Sequence, residues 1–182
     1  MASINGVQVK ALKTFRGHDG DGYLQGNIYI DGKKAGFWSQ DAWCGPDNYD
    51  FNTDVLEEKA REYYKANPVV DELKLLGTDD VDFDNLPMTD HSDAYDILAY
   101  FMEDLISLAY AEKDYKKHTK GTRWTVMGVL DYYSGRWGIP KDRGSLVFGI
   151  NKGAIKQRFK DILKKYPYAY VTYYEGLDDF VR

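Results

Sequence analysis

The chain has one cysteine, Cys44, so it has no disulfide framework and no cysteine-based zinc site. With three histidines (His18, His91 and His118), a histidine-rich metal centre is also disfavoured. No run of 18 apolar residues is present, so no segment reads as a membrane-spanning helix. The opening residues have no basic stretch followed by a long apolar one, so no secretion signal is read. A single thiol without an export signal points to the cytoplasm as the expected location. The glycine-rich phosphate loop, the dinucleotide fingerprint and the G-x-S-x-G elbow are all missing. What is present is ordinary for a globular domain: 182 residues, 43% apolar and 29% charged. That length buries a sizeable core without staples. Tyrosine is abundant, with 16 copies, and lifts the aromatic share to 15%.

Charge is unevenly spread. Residues 1–100 carry 9 Lys and Arg against 19 Asp and Glu, a net of −10. Residues 113–165 carry 14 basic and 4 acidic residues, a net of +10. Such a split suits nucleic-acid or charged-protein partners better than a small neutral substrate. Mutual attraction of the two halves would explain it equally well.

Apolar and polar residues alternate over 5–15, which predicts a strand. A loop follows at 17–22, then a strand over 23–30. Asp31-Gly32 marks a two-residue hairpin, and 33–39 returns as a third strand. Residues 40–50 read as a loop. Asn52, Thr53 and Asp54 open a helix over 54–66, with Leu56, Ala60, Tyr63 and Tyr64 facing inward. Residues 69–76 fit either a strand or a short helix, and 77–93 form an acidic loop. Apolar residues from Ala94 through Ile97, Leu98, Phe101, Leu105, Leu108 and Ala109 repeat with helical period, predicting a long buried helix over 93–117. Strands are expected over 122–133, 145–150 and 168–174, and a helix capped by Asn151 over 152–165. The fold class is therefore α+β: an N-terminal three-stranded antiparallel meander with helices, a long buried helix, then a C-terminal mixed segment. The organisation is a β-rich lobe over 1–50 and a helical and mixed lobe over 51–182, or one compact domain.

Several motifs imitate chemistry. A calcium loop needs Gly at position 6 and an acid at position 12. Counted from Asp19, position 12 is Ile30; counted from Asp80, these positions hold Asn85 and His91, so both loops fail. Pro46-Asp47 with Glu57-Glu58-Lys59 or Glu72-Leu73-Lys74 resembles the carboxylate and lysine set of magnesium nucleases. That chemistry wants its Glu-x-Lys on a strand, which leaves only the second match. Cys44 would need a nearby histidine to act as a nucleophile.

Two charged surfaces carry the binding expectation. Asp79, Asp80, Asp82, Asp84, Asp90 and Asp93 crowd one segment, with alternate carboxylates roughly 6–7 Å apart if extended. Such a row imitates a nucleic-acid strand and can occupy a basic channel; as a plain solvated loop it would serve as turn and helix caps. Lys113, Lys116, Lys117, Lys120, Arg123 and Trp124 form the opposite surface, joined by Arg136, Lys141 and Arg143. Basic residues interleaved with exposed aromatics, here Tyr115 and Trp124, are what single-stranded nucleic-acid binding uses. The alternative is the ordinary polar face of an amphipathic helix.

The run from Val7 and Val9 through Asp21-Gly22-Tyr23, Asn27-Ile28-Tyr29, Asp31-Gly32-Lys33-Lys34 and Gly36 to Gly45, Tyr49 and Phe51 resembles a small β module. That module is found in short proteins of phages and mobile elements of Firmicutes. Glu112-Lys113, Tyr115-Lys116-Lys117 and Lys120-Gly121 fit the same style. Proteins of this kind resemble anti-CRISPR proteins that block the RNA-guided DNA nuclease of type II systems. The resemblance implies a stoichiometric inhibitor with no catalytic residue, metal or cofactor. Its partners would be the type II effector nuclease and its guide RNA, and possibly DNA or RNA, with no membrane contact. The alternatives are a small metal-dependent nucleic-acid-processing enzyme and a phage nucleic-acid-binding accessory protein.

Overall fold

A computed structural model describes residues 1–17, 22–41, 45–70, 88–89, 96–132, 146–166 and 169–182. The fold is α+β. The chain forms two compact units. The first comprises Met1–Asn67, His91–Glu112 and Phe180–Arg182, and the second Pro68–Asp90 and Lys113–Asp179.

The first unit opens with an antiparallel meander, β1 (Val7–Arg16), β2 (Gly22–Ile30) and β3 (Lys33–Ser39). Asp31 (φ 48) and Gly32 (φ 79) form the hairpin between β2 and β3, where both central residues need positive φ. Val7, Val9, Gly26, Ile28 and Trp38 are buried on one sheet face. The meander has a fourth strand within the expected loop 40–50. Asn48–Tyr49, β4, pairs with β3 through Trp38↔Tyr49 and Ser39↔Asn48. Two residues have no readable period; this edge is set by contacts. Trp38 donates its indole N–H to Asp47 at 2.7 Å, and the Phe37 amide donates to Asp50. A second feature without a periodic signal is a bulge. The β1–β2 register slips between Lys10 and Lys13, where Ala11 adopts φ 54.

One helix, and a second as far as Glu112, complete this unit. The first, α1 (Asp54–Ala66), buries Leu56, Ala60 and Tyr64, while Tyr63 is half-buried. Its start is held by Asn52, whose side-chain oxygen accepts the Asp54 amide at 2.8 Å. The second, α2 (Ile97–Thr119), buries Ile97, Phe101, Leu105 and Leu108 as the apolar period predicts, with Met102 and Ile106 buried beside them, while Leu98 and Ala109 are half-buried. Tyr64 on α1 donates to Asp104 on α2 at 2.7 Å. Glu112 is also buried, accepting the Ala2 amide at 2.9 Å and pairing with the Met1 amine at 3.1 Å. Phe180 is fully buried, and backbone bonds link Ser3 and Asn5 to Phe180 and Arg182.

The second unit carries an antiparallel sheet in the order β8 (Leu146–Gly149), β7 (Val126–Tyr132), β9 (Ala169–Tyr174). The helix α3 (Lys152–Lys165) packs on it through Ile155 and Phe159 against Val126, Leu130 and Ala169. Asn151 accepts the Ala154 amide at 2.8 Å, the expected cap. Residues 122–125, expected as strand, are irregular instead. Gly121 turns the chain at φ 69, and the Thr122 hydroxyl bonds back to the His118 carbonyl at 2.9 Å, ending α2. Val69–Val70 (β5) pairs with Met88–Thr89 (β6), which makes the start of the ambiguous 69–76 segment a strand. Among the described residues, no helix is long and apolar enough to cross a membrane.

Candidate nucleic-acid interface

The last turns of α2 belong to the second unit from Lys113 onward. Lys113, Lys116 and Lys117 recur at i, i+3 and i+4 and form one stripe of α2, and Lys120 follows in the turn, its amide still bonded to the Lys116 carbonyl at 3.3 Å. All four are exposed, and the stripe turns away from buried Tyr115. Lys116, Lys117 and His118 also complement the negative end of the helix dipole, so helix stability alone gives them a reason to be there.

Trp124 joins the stripe to α3. It sits in the irregular segment after α2, half-buried, its amide bonded to the Thr122 hydroxyl at 3.2 Å. The Arg123 guanidinium carbon lies 5.2 Å from its ring centre, and that of Arg158 on α3 lies 5.8 Å from the same ring. Both are within cation–π range. Arg158 also donates to the Phe148 carbonyl at 2.9 Å. Phe148 in turn meets the His118 ring at 4.7 Å between centroids, with 30° between planes. His118, Phe148, Arg158, Trp124 and Arg123 are thus linked by direct contacts beside the lysine stripe. Arg158 is one of several exposed basic residues of α3, with Lys156, Lys160, Lys164 and Lys165. Its pairing with Trp124 crosses from one element to another and has no local sequence signal.

Other expected members are placed elsewhere. Tyr115 is buried, with its hydroxyl 2.9 Å from the Thr125 carbonyl and 3.1 Å from that of Glu175. Burial and then the Asp179 carboxylate push its phenol up from the ordinary range. It is a structural tyrosine, not an exposed stacking ring. The reading of it as exposed came from its lysine neighbours, which lie on another side of the helix. Lys152 and Lys156 lie on the opposite flank of α3 from Arg158, both reaching over Tyr173, at 5.1 and 5.9 Å. Lys152 also pairs with Glu175 at 3.1 Å. Arg136, Lys141 and Arg143 lie outside the described residues, as do Asp79, Asp80, Asp82, Asp84, Asp90 and Asp93 of the acidic surface.

The nuclease-like residues are occupied differently. Glu57 and Lys59 are on α1, where Thr53 donates to Glu57 at 3.1 Å. Lys59 donates to the Asn5 carbonyl at 3.1 Å and pairs with Asp31 at 3.2 Å. Asp47 accepts from Trp38, and burial pushes its carboxyl above the usual range despite that bond. Glu72, Lys74 and Cys44 lie outside the described residues. Among the described residues, no three His, Cys, Asp or Glu side chains form a group that could hold a metal ion.

Comparison with known proteins finds no matching family model, no matching curated protein and no matching solved structure.

Proposed function

We propose that this chain is a stoichiometric inhibitor of a type II RNA-guided DNA nuclease. Its second unit meets the guide RNA or the DNA that such a nuclease carries. The observation that carries the reading is Trp124, with the Arg123 and Arg158 guanidiniums within cation–π range of its ring, beside Lys113, Lys116, Lys117 and Lys120. Lysines on one helical stripe can follow successive phosphates, while a half-buried ring with guanidinium neighbours offers a base a stacking surface. Occupying the guide or the displaced strand would stop R-loop growth or strand docking. The resemblance of residues 7–51 to phage-borne β modules supplies the target class. The acidic residues from Asp79 to Asp93 give a second route, by occupying the cleft where Arg side chains read the protospacer-adjacent duplex.

The test is co-purification with an RNA-loaded type II nuclease and a DNA-cleavage titration. Loss of cleavage near an equimolar ratio is the expected result. Lys116→Glu, Lys117→Glu and Lys120→Glu together should relieve it. If instead Lys replacements at Asp79, Asp80, Asp82 and Asp84 relieve it, the acidic route is the operative one. No binding and no inhibition would sink the inhibitor reading. Turnover of free DNA or RNA in magnesium would then replace it with the enzyme alternative.

A further inference from the structure

The outer face of the N-terminal sheet differs in chemistry from the rest of the first unit. Buried Val7, Val9, Gly26, Ile28 and Trp38 define the inner face. The register then places Lys10, Lys13 and Phe15 of β1, Tyr23, Gln25, Asn27 and Tyr29 of β2, and Lys34 and Phe37 of β3 on the other. Between Lys10 and Lys13, β1 has two residues where β2 has one, and this single extra residue shifts the alternation so that Lys13 and Phe15 fall on the same side as Lys10. Every one of these residues is half-buried or exposed.

Charge makes this face selective. β1, β2 and β3 contain Lys10, Lys13, Arg16, Lys33 and Lys34 and not one Asp or Glu. They do so within a 100-residue stretch whose net charge is −10. Of the acids flanking the strands, Asp31 pairs with Lys59 and Asp50 accepts the Phe37 amide. Asp19 and Asp21, in the loop joining β1 to β2, lie outside the described residues.

The rings are arranged to receive planar groups. Phe15 and Tyr23 stack across the strands at 5.5 Å with 25° between planes, and Phe15 is 37% exposed. Tyr29 lies under the Lys10 ammonium at 3.9 Å. Tyr23 and Tyr29 share this face of β2 six residues apart, about 20 Å along the strand, with Gln25 and Asn27 between them.

We propose that this face of the first unit binds single-stranded nucleic acid, with bases stacking on Phe15, Tyr23 and Tyr29 and phosphates met by Lys10, Lys13 and Lys34. Strand-borne aromatics flanked by lysines and neutral amides are the means by which a β-sheet holds unpaired bases. Lys10 changes partner on binding, leaving the Tyr29 ring for a phosphate. This face belongs to the first unit, and the Trp124 surface to the second.

The test uses the full chain and fluorescein-labelled dT12 and U12 in anisotropy titrations at low salt. Binding of either probe is expected. Phe15→Ala and Tyr23→Ala should each weaken it about 5-fold to 100-fold. Lys10→Gln, Lys13→Gln and Lys34→Gln together should flatten the dependence of log affinity on log salt by about 2. These three lysines sit at the surface, so this variant reads binding even if a ring substitution disturbs folding. No binding of either probe would overturn the proposal. Binding that survives all these changes and disappears with Lys116→Glu and Lys117→Glu would also overturn it, by moving the contact to the second unit. So would sheet variants that lose nuclease inhibition while no form of the chain binds the oligonucleotides, because the face would then serve a protein.

Discussion

Gly32 is a residue whose importance is purely conformational. Its φ is 79, and a Cβ built there meets nothing within 4 Å. Gly32→Ala should therefore lower stability by about 1 kcal/mol through backbone strain alone, while Gly32→Asn, which tolerates that conformation, should recover much of the loss. Chemical denaturation of the three proteins checks this. Tyr64 makes a different single-residue argument. Burial, then the Asp104 carboxylate, hold its phenol well above the ordinary tyrosine value of 10.0. The unfolded chain releases that proton near pH 10, and the folded chain does not. The stability Tyr64 contributes is thus complete below about pH 10 and is lost progressively as pH rises beyond it. Urea midpoints between pH 8 and pH 11 should fall in the parent. They should fall less steeply in Tyr64→Phe, which starts lower by about 1 kcal/mol for the lost bond to Asp104.

At the level of elements, α3 sits on the backbone of its sheet. A Cβ on Gly128 would come within 2.5 Å of Ile155 Cγ2 and 3.0 Å of Phe159 Cε2, and one on Gly149 within 2.7 Å of Ile155 Cδ1. Gly128→Ala should overpack this contact by about 1–3 kcal/mol, and Ile155→Ala should leave a cavity worth about 2–5 kcal/mol. Combining Gly149→Ala with Ile155→Val, which removes the Cδ1 that a Cβ on Gly149 would meet, should destabilise by less than the two effects added, a coupling that a double-mutant cycle by thermal melting will read. Elements also show what was legible in the sequence. The first three strands were readable because their alternation ends at Asp31-Gly32, and α2 because its apolar residues keep one period from Ile97 to Leu108. β4 was not, because two residues held by Asp47 and Asp50 have no period. Tyr115 was misread because a helical residue's burial depends on which way the helix turns, not on its charged neighbours. The Arg158–Trp124 contact was invisible because it arises from the packing of α3 beside the end of α2.

For the whole molecule, the charge split sets how association should respond to salt. If Lys113, Lys116, Lys117, Lys120, Arg123 and Arg158 all meet phosphates, log affinity should fall with log salt with a slope of about −4 to −5. A slope near zero for the loaded nuclease would mean that the basic face stays in solvent. Reversing the stripe should therefore reduce binding far more than stability. Each lysine near the helix end contributes only about 0.3–1 kcal/mol to the fold through the dipole.

The pairing of residues 3–5 with residues 180–182 also has a consequence in time. The first unit draws on three separated stretches of chain, and its fully buried Phe180 comes from the last of them. The three-stranded meander can zip through adjacent hairpins, but the strand-like pairing of Ser3 with Val181 closes a loop nearly as long as the whole sequence. During synthesis the core of this unit cannot be completed until Phe180 is made. Phe180→Ala should accordingly accelerate unfolding while leaving the refolding rate almost unchanged, the kinetic signature of a contact made after the transition state.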